Sequence, residues 1–118
     1  MRDHHKLEVF ALADALTLRL YAATKRFPED ERYGLASQIR RAAVSVGANI
    51  VERAARPSRV EFARFLTIAY ASACELQYEI SLASRLGLMD AKDDAPLADL
   101  ASRTCKALRS LILAVRKT

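Results

Sequence analysis

Seven apolar residues, Phe62, Leu66, Ala69, Ala73, Leu76, Ile80 and Ala83, recur at alternating steps of four and three, with no glycine or proline among them. That spacing lays one continuous stripe along a helix and is the seam of an antiparallel bundle. A stripe this long needs partner helices of similar length, and the rest of the chain offers them. Three glycines and three prolines punctuate 118 residues. A β-sandwich of this size would need a turn signal every ~8–12 residues, so that class is excluded. One core is all that such a length can bury, so residues 1–118 read as a single domain.

Breakers divide the chain into four helical segments. The first spans about Lys6 to Arg26, with the stripe Val9, Leu12, Leu16, Leu20 and Ala23, and stops at Phe27-Pro28. The second spans about Glu31 or Leu35 to Ala55, with Leu35, Ile39, Ala42, Val46 and Ile50 at helical spacing. The third starts at Ser58, which with Glu61 forms a capping box, and runs to Leu86, where Gly87 suits a left-handed C-cap. Leu88 to Ala95 reads as an acidic loop. The fourth helix then runs from about Pro96 to Arg116, with the seam Leu97, Ala101, Thr104, Leu108, Leu111 and Val115. The fold class is therefore all-α, an antiparallel up-down-up-down four-helix bundle.

The third helix carries more apolar surface than one bundle core can cover. Phe65, Ile68, Tyr70, Cys74 and Tyr78 lie off its seam. In a chain of 118 residues the remaining way to bury them is another subunit, so self-association is expected, with Phe65, Ile68, Tyr70 and Tyr78 as the contacts.

Catalytic and cofactor chemistry find no constellation. His4 and His5 are adjacent, diverge by about 100° on a helix and cannot share a metal. Glu-x-x-His is absent, no positioned base exists for a serine triad, and the glycines stand too far apart for a phosphate loop. Glu75 and Glu79, one turn apart, could form a carboxylate pair, but an ion pair between helices is the commoner outcome. Neither cysteine belongs to a metal-binding pair, and both read as reduced core thiols. With no signal-like or membrane-spanning run, the expectation is a cytoplasmic protein without a cofactor or small-molecule substrate.

Two polar features remain. Gln38, Arg41, Ser45, Asn49 and Glu52 share one side of the second helix. In a hairpin closing near residues 55–58, Arg41 and Gln38 come opposite Glu75, and Asn49 opposite Arg64. This predicts a partly buried interhelical network with an Arg41–Glu75 pair. The second feature is charge. Residues 32–64 hold seven arginines against Glu52 and Glu61, which concentrates the chain's net charge of +5 on the second helix, the turn and the start of the third. Three readings fit: a solvated tip, an anionic partner, or an acidic patch on another subunit. For nucleic acid, RNA or DNA, phosphates are expected at Arg53, Arg56 and Arg59, with Arg40 and Arg64 in support. Residues 51–61 contain no aromatic side chain for base stacking, so any such binding should be independent of sequence.

Ordered runs along the chain carry a family likeness. Lys6-Leu7-Glu8-Val9, Phe27-Pro28, Glu31-Arg32-Tyr33-Gly34-Leu35 and Gln38-Ile39-Arg40-Arg41-Ala42-Ala43-Val44-Ser45 are followed by Asn49-Ile50 with Glu52, then Ser58, Glu61-Phe62 and Phe65-Leu66. Together with Glu75-Leu76 and Leu86-Gly87-Leu88 they resemble the bacterial four-helix-bundle family named after the 23S rRNA intervening-sequence protein. Two runs depart from that pattern. Ser45-Val46-Gly47 stands where the family usually has Ser-Ile-Pro. Glu52-Arg53-Ala54-Ala55-Arg56 replaces Glu-Gly-Phe-Gly-Arg, so the second helix is expected to extend further here. The resemblance implies a bundle assembled as a ring, a homopentamer, without enzymatic activity. It also implies a likeness in fold to the basic, nucleic-acid-binding accessory protein of diversity-generating retroelements. Two functions stay open: an oligomeric nucleic-acid-binding protein, and a scaffold whose arginines serve its own assembly.

Overall fold

The computed structural model describes residues 3–53 and 58–117, with side chains for residues 8–52 and 58–117. Four long helices, α1 (Asp3–Thr24), α2 (Leu35–Arg53), α3 (Arg59–Arg85) and α4 (Ala91–Lys117), form an all-α body of 45 × 24 × 18 Å. One 3₁₀ turn, Glu29–Glu31, precedes α2, and no strand occurs among the described residues.

The expected stripes form the core. Val9, Leu16, Leu20, Ile39, Val46, Ile50, Leu66, Leu76, Leu108 and Val115 are all buried. They divide into two clusters, one toward each end. Leu16 to Ala23 of α1 meet Ala36 to Ala43 of α2, Leu76 to Ala83 of α3 and Leu97 to Ala101 of α4. Val9 and Ala13 meet Val46, Ile50, Phe62 to Ala73 and Cys105 to Val115. Late residues of α1 and α3 thus join early residues of α2 and α4, a pairing compatible with an up-down-up-down order. Thr104 sits in the core because its hydroxyl donates to Leu100 O at 2.7 Å, which satisfies the buried oxygen.

Local chemistry sets the helix ends. Ser58 Oγ accepts from Glu61 N at 3.0 Å and caps α3. At its other end Gly87 takes φ 75°, and Leu88 N and Gly87 N donate to Ala83 O and Ser84 O. These two bonds are those of a Schellman cap. Glu31 Oε1 accepts from Leu35 N at 3.2 Å, so the acidic turn caps α2 rather than extending it.

Two boundaries differ from expectation. α1 stops at Thr24, where the Thr24 hydroxyl bonds back to Leu20 O at 2.7 Å and the chain tightens into 3₁₀ bonds up to Phe27. α4 begins at Ala91, so most of the acidic segment is its first turn and Pro96 lies inside the helix. Asp93 and Asp94 in that first turn complement the helix dipole. Arg26 adds a tether, with its guanidinium paired to Asp90 at 2.8 Å and to Asp93. The hydrogen bond to Asp93 is the main cause that raises the Arg26 pKa above its usual value; desolvation opposes it, and the charges of Asp93 and Asp90 add to the rise. The expected extension of the second helix to Ala55 falls on residues 54–57, which lie outside the described residues.

Candidate nucleic-acid interface

The packing of the second cluster brings the end of α2, the start of α3 and the end of α4 to one end of the molecule. Residues 51–64 and 113–118 carry six cations against two carboxylates. Between α3 and α4 this end opens a groove of about 410 Å³, with Arg59, Arg64 and Arg116 on its rim and Val60, Ala63, Thr67 and Val115 along its walls. All three arginines are exposed, and none has an ion pair or hydrogen bond to another described residue. Three unengaged guanidiniums around one concavity can take phosphate oxygens two at a time.

The sequence reading named Arg59 and Arg64, which line this groove, and did not name Arg116, which lines it too. The signal was present in Arg116-Lys117 at the end of the fourth segment, which an antiparallel order carries to the tip. Arg53 ends α2, but its side chain, like Arg56, Pro57, His4 and His5, lies outside the described side chains.

Arg40 does not join the tip. Its Nε donates to Thr24 Oγ1 at 2.8 Å, its Nη2 donates to Tyr21 O at 3.2 Å, and its guanidinium stacks 4.7 Å from the Tyr21 ring centre. It is a clamp between α1 and α2, near the other end of the bundle. Placing it in the basic tip on charge alone overlooked that α2 runs away from that end.

The α2–α3 polar stripe is rearranged. Ser45 Oγ and Ser72 Oγ share a hydrogen bond of 2.8 Å between helices, and Asn49 Nδ2 donates to Ser45 O at 2.8 Å and to Ser45 Oγ at 3.2 Å. The expected Arg41–Glu75 pair does not form. Arg41 Nη1 donates instead to Ser37 Oγ at 3.2 Å, one turn back on its own helix. Gln38 is exposed, as is Glu52. The buried acid of the seam is Glu79, 4% exposed, whose Oε1 has no partner among the described residues. Burial first, then hydrogen bonding and charge from Glu75, push its carboxyl up to about 7, against the opposing charge of Arg41.

The off-seam residues of α3 are unequally covered. Phe65 and Tyr70 are half-buried, with Tyr70 packed against the second core cluster, while Ile68 and Tyr78 are 40% and 59% exposed. Cys105 is buried as expected, but Cys74 is exposed. No group of three metal-ligating side chains occurs among the described residues, and no helix there is long and apolar enough to cross a membrane.

These features define an all-α four-helix protein with a cluster of exposed arginines at one end. The chain belongs to the 23S rRNA-intervening sequence protein family, whose model matches residues 5–110. Its fold is also that of a Bacteroides thetaiotaomicron protein of unknown function from the S23 ribosomal protein family, known from a crystal structure. The two are 25% identical with a TM-score of 0.83, over 92% of this chain and 97% of that one. No curated protein matches the chain.

Proposed function

We propose that this protein is a non-enzymatic, cytoplasmic homo-oligomer that binds RNA or other nucleic acid through the groove rimmed by Arg59, Arg64 and Arg116, extended by Arg53 and Arg56. The observation that carries the reading is the set of three unengaged, exposed arginines around one groove in a chain of net charge +5. Arg26 and Arg40, which serve the fold, have partners; these three have none among the described residues. The family's name, which refers to 23S rRNA, supports an RNA partner. The N-terminal end of α3 adds backbone donors and a favourable dipole beside Arg59.

Assembly strengthens the reading. Ile68 and Tyr78 leave apolar surface on α3 that a second copy covers, with Phe65 and Tyr70 at its margin, and a ring of five repeats the basic groove in each subunit. Weak single contacts then add through avidity. The test is fluorescence anisotropy with a single-stranded RNA of mixed sequence, at low and high salt, together with light scattering. Salt-sensitive binding by an oligomer supports the proposal. An oligomer that binds no RNA at low salt is the scaffold alternative, and a stable 13.1 kDa monomer removes the assembly.

A further inference from the structure

A second groove, of about 480 Å³, opens between α1, α2 and the link that joins them, and it shares no lining residue with the groove at the basic tip. Ser37, Arg40, Arg41 and Val44 fall on one face of α2 and line it together. Tyr21 reaches it from α1, and Arg32 and Tyr33 reach it from the link after the 3₁₀ turn. Three guanidiniums thus line it, and no carboxylate does among the described residues. Arg40 is committed to the fold by its bonds to Thr24 and Tyr21 and its stack on the Tyr21 ring. The other two are held lightly. Arg41 bonds Ser37 Oγ at 3.2 Å, and Arg32 meets Glu29 at 3.3 Å in an exposed pair of the kind that adds little stability. Tyr33 is 88% exposed and belongs to neither core cluster, so core packing gives no reason for a ring at this position. The Arg32 guanidinium lies 5.8 Å from the centre of that ring.

We propose that this groove binds one nucleotide, with its base stacked on the exposed Tyr33 ring and its phosphate taken by Arg41 and Arg32. An aromatic face stacks on any base, and a planar guanidinium takes phosphate oxygens two at a time. The basic tip offers the second of these without the first, since residues 51–61 contain no ring. The groove's volume falls in the range of small-ligand sites, about 300–1,000 Å³. Arg40, held against Tyr21, shapes the wall and is not a ligand contact. The nucleotide is either a free nucleoside monophosphate or one unit of a single strand. The strand form rests on the RNA reading above; the free form does not.

The test is equilibrium dialysis of the full chain against radiolabelled AMP, with adenosine and ribose 5-phosphate as half-ligands and pentaadenylate RNA for the strand form. AMP is expected to saturate the chain, and each half-ligand to bind about tenfold more weakly or worse, having lost either the phosphate or the base. Tyr33→Ala should weaken AMP about fivefold or more, while Tyr33→Phe stays within about twofold of the parent, because the ring face does the stacking. Arg41→Gln should weaken AMP and leave adenosine unchanged. Both positions are exposed, and unchanged thermal midpoints verify that the variants fold. A chain with Arg59, Arg64 and Arg116 changed to glutamine should keep AMP binding, which separates this site from RNA binding at the tip. Pentaadenylate bound by that triple variant without AMP, and released by adding Tyr33→Ala, assigns the strand form; AMP binding assigns the free form. Ribose 5-phosphate bound as tightly as AMP, nucleotide binding indifferent to Tyr33→Ala, or no binding of AMP or pentaadenylate would each overturn the proposal. So would hexaglutamate bound in the groove with no nucleotide, which would make it a dock for acidic protein.

Discussion

Glu79 lies one turn beyond Glu75 on α3, and only Glu75 reaches solvent, while Glu79 is 4% exposed with one oxygen unpartnered. Their proximity and the burial hold the Glu79 carboxyl near 7, from an ordinary value of 4.5. Between those two pH values the folded chain keeps a proton that the unfolded chain has lost. The contribution of Glu79 is therefore most favourable below 4.5, declines as pH rises to about 7, and stays low above it. Glu79→Gln supplies a neutral side chain of similar shape. It should stabilise the protein by about 1–3 kcal/mol above pH 7 and by little below pH ~4.5. Chemical denaturation of both proteins at pH 5 and pH 8 reads the difference; equal stability changes at the two pH values would show that Glu79 does not titrate in this range.

Arg41 opposes that shift from the facing helix without forming an ion pair to Glu75 or Glu79. It is exposed, so Arg41→Ala should cost less than about 1 kcal/mol. Removing its charge should also raise the Glu79 pKa above its value in the parent protein. An NMR titration of the Glu79 side-chain carboxyl in both proteins checks the direction. A larger loss of stability, in the range of about 3–5 kcal/mol, would mean that Arg41 neutralises a buried charge after all.

Two glycines with opposite surroundings should respond oppositely to alanine. Gly47 lies in the interior of α2, and an added Cβ meets nothing within 4 Å. Gly47→Ala should stabilise the chain by about 0.5–1 kcal/mol, because alanine loses less backbone entropy in a helix. Gly87 ends α3 at φ 75°, where an L side chain is strained despite open space around it. Gly87→Ala should destabilise by about 1 kcal/mol or more. Thermal denaturation of the two single variants tests the pair.

What could be read from the sequence followed the range of the forces involved. Ser58 with Glu61 and Gly87 with Leu88 act within one turn, and both α3 boundaries stand where those residues put them. The apolar stripes needed only periodicity, which one chain displays in full. The start of α4 escaped because Pro96 was given the first helical position, whereas Asp90 and Asp93 gain a partner, Arg26, some sixty residues away. The polar seam was legible only to within a helix rotation. Ser45 and Asn49 do bond in it, but Asn49 bonds Ser45, the bond across the interface runs from Ser45 to Ser72, and the acid enclosed is Glu79 rather than Glu75. Arg116 and the Cys105–Gln77 hydrogen bond needed the α3–α4 register, which spacing along one helix does not contain.

The arginines divide into two groups by what they touch, and the division predicts which property each variant loses. Arg40 bonds Thr24 and Tyr21 and stacks on the Tyr21 ring, so Arg40→Gln should lower stability by about 1–2 kcal/mol while leaving RNA affinity within twofold. Arg59, Arg64 and Arg116 have no such partners among the described residues, so changing all three to glutamine should leave the thermal midpoint and the mass by light scattering unchanged. Their loss should appear instead in binding to single-stranded RNA. Each phosphate contact removed should lower the slope of log affinity against log salt by about 0.7, so a triple variant that loses three contacts flattens it by about 2. Reduced affinity with an unchanged slope would place the contacts outside the phosphate backbone. Affinity and slope equal to those of the parent protein would move the interface away from this groove.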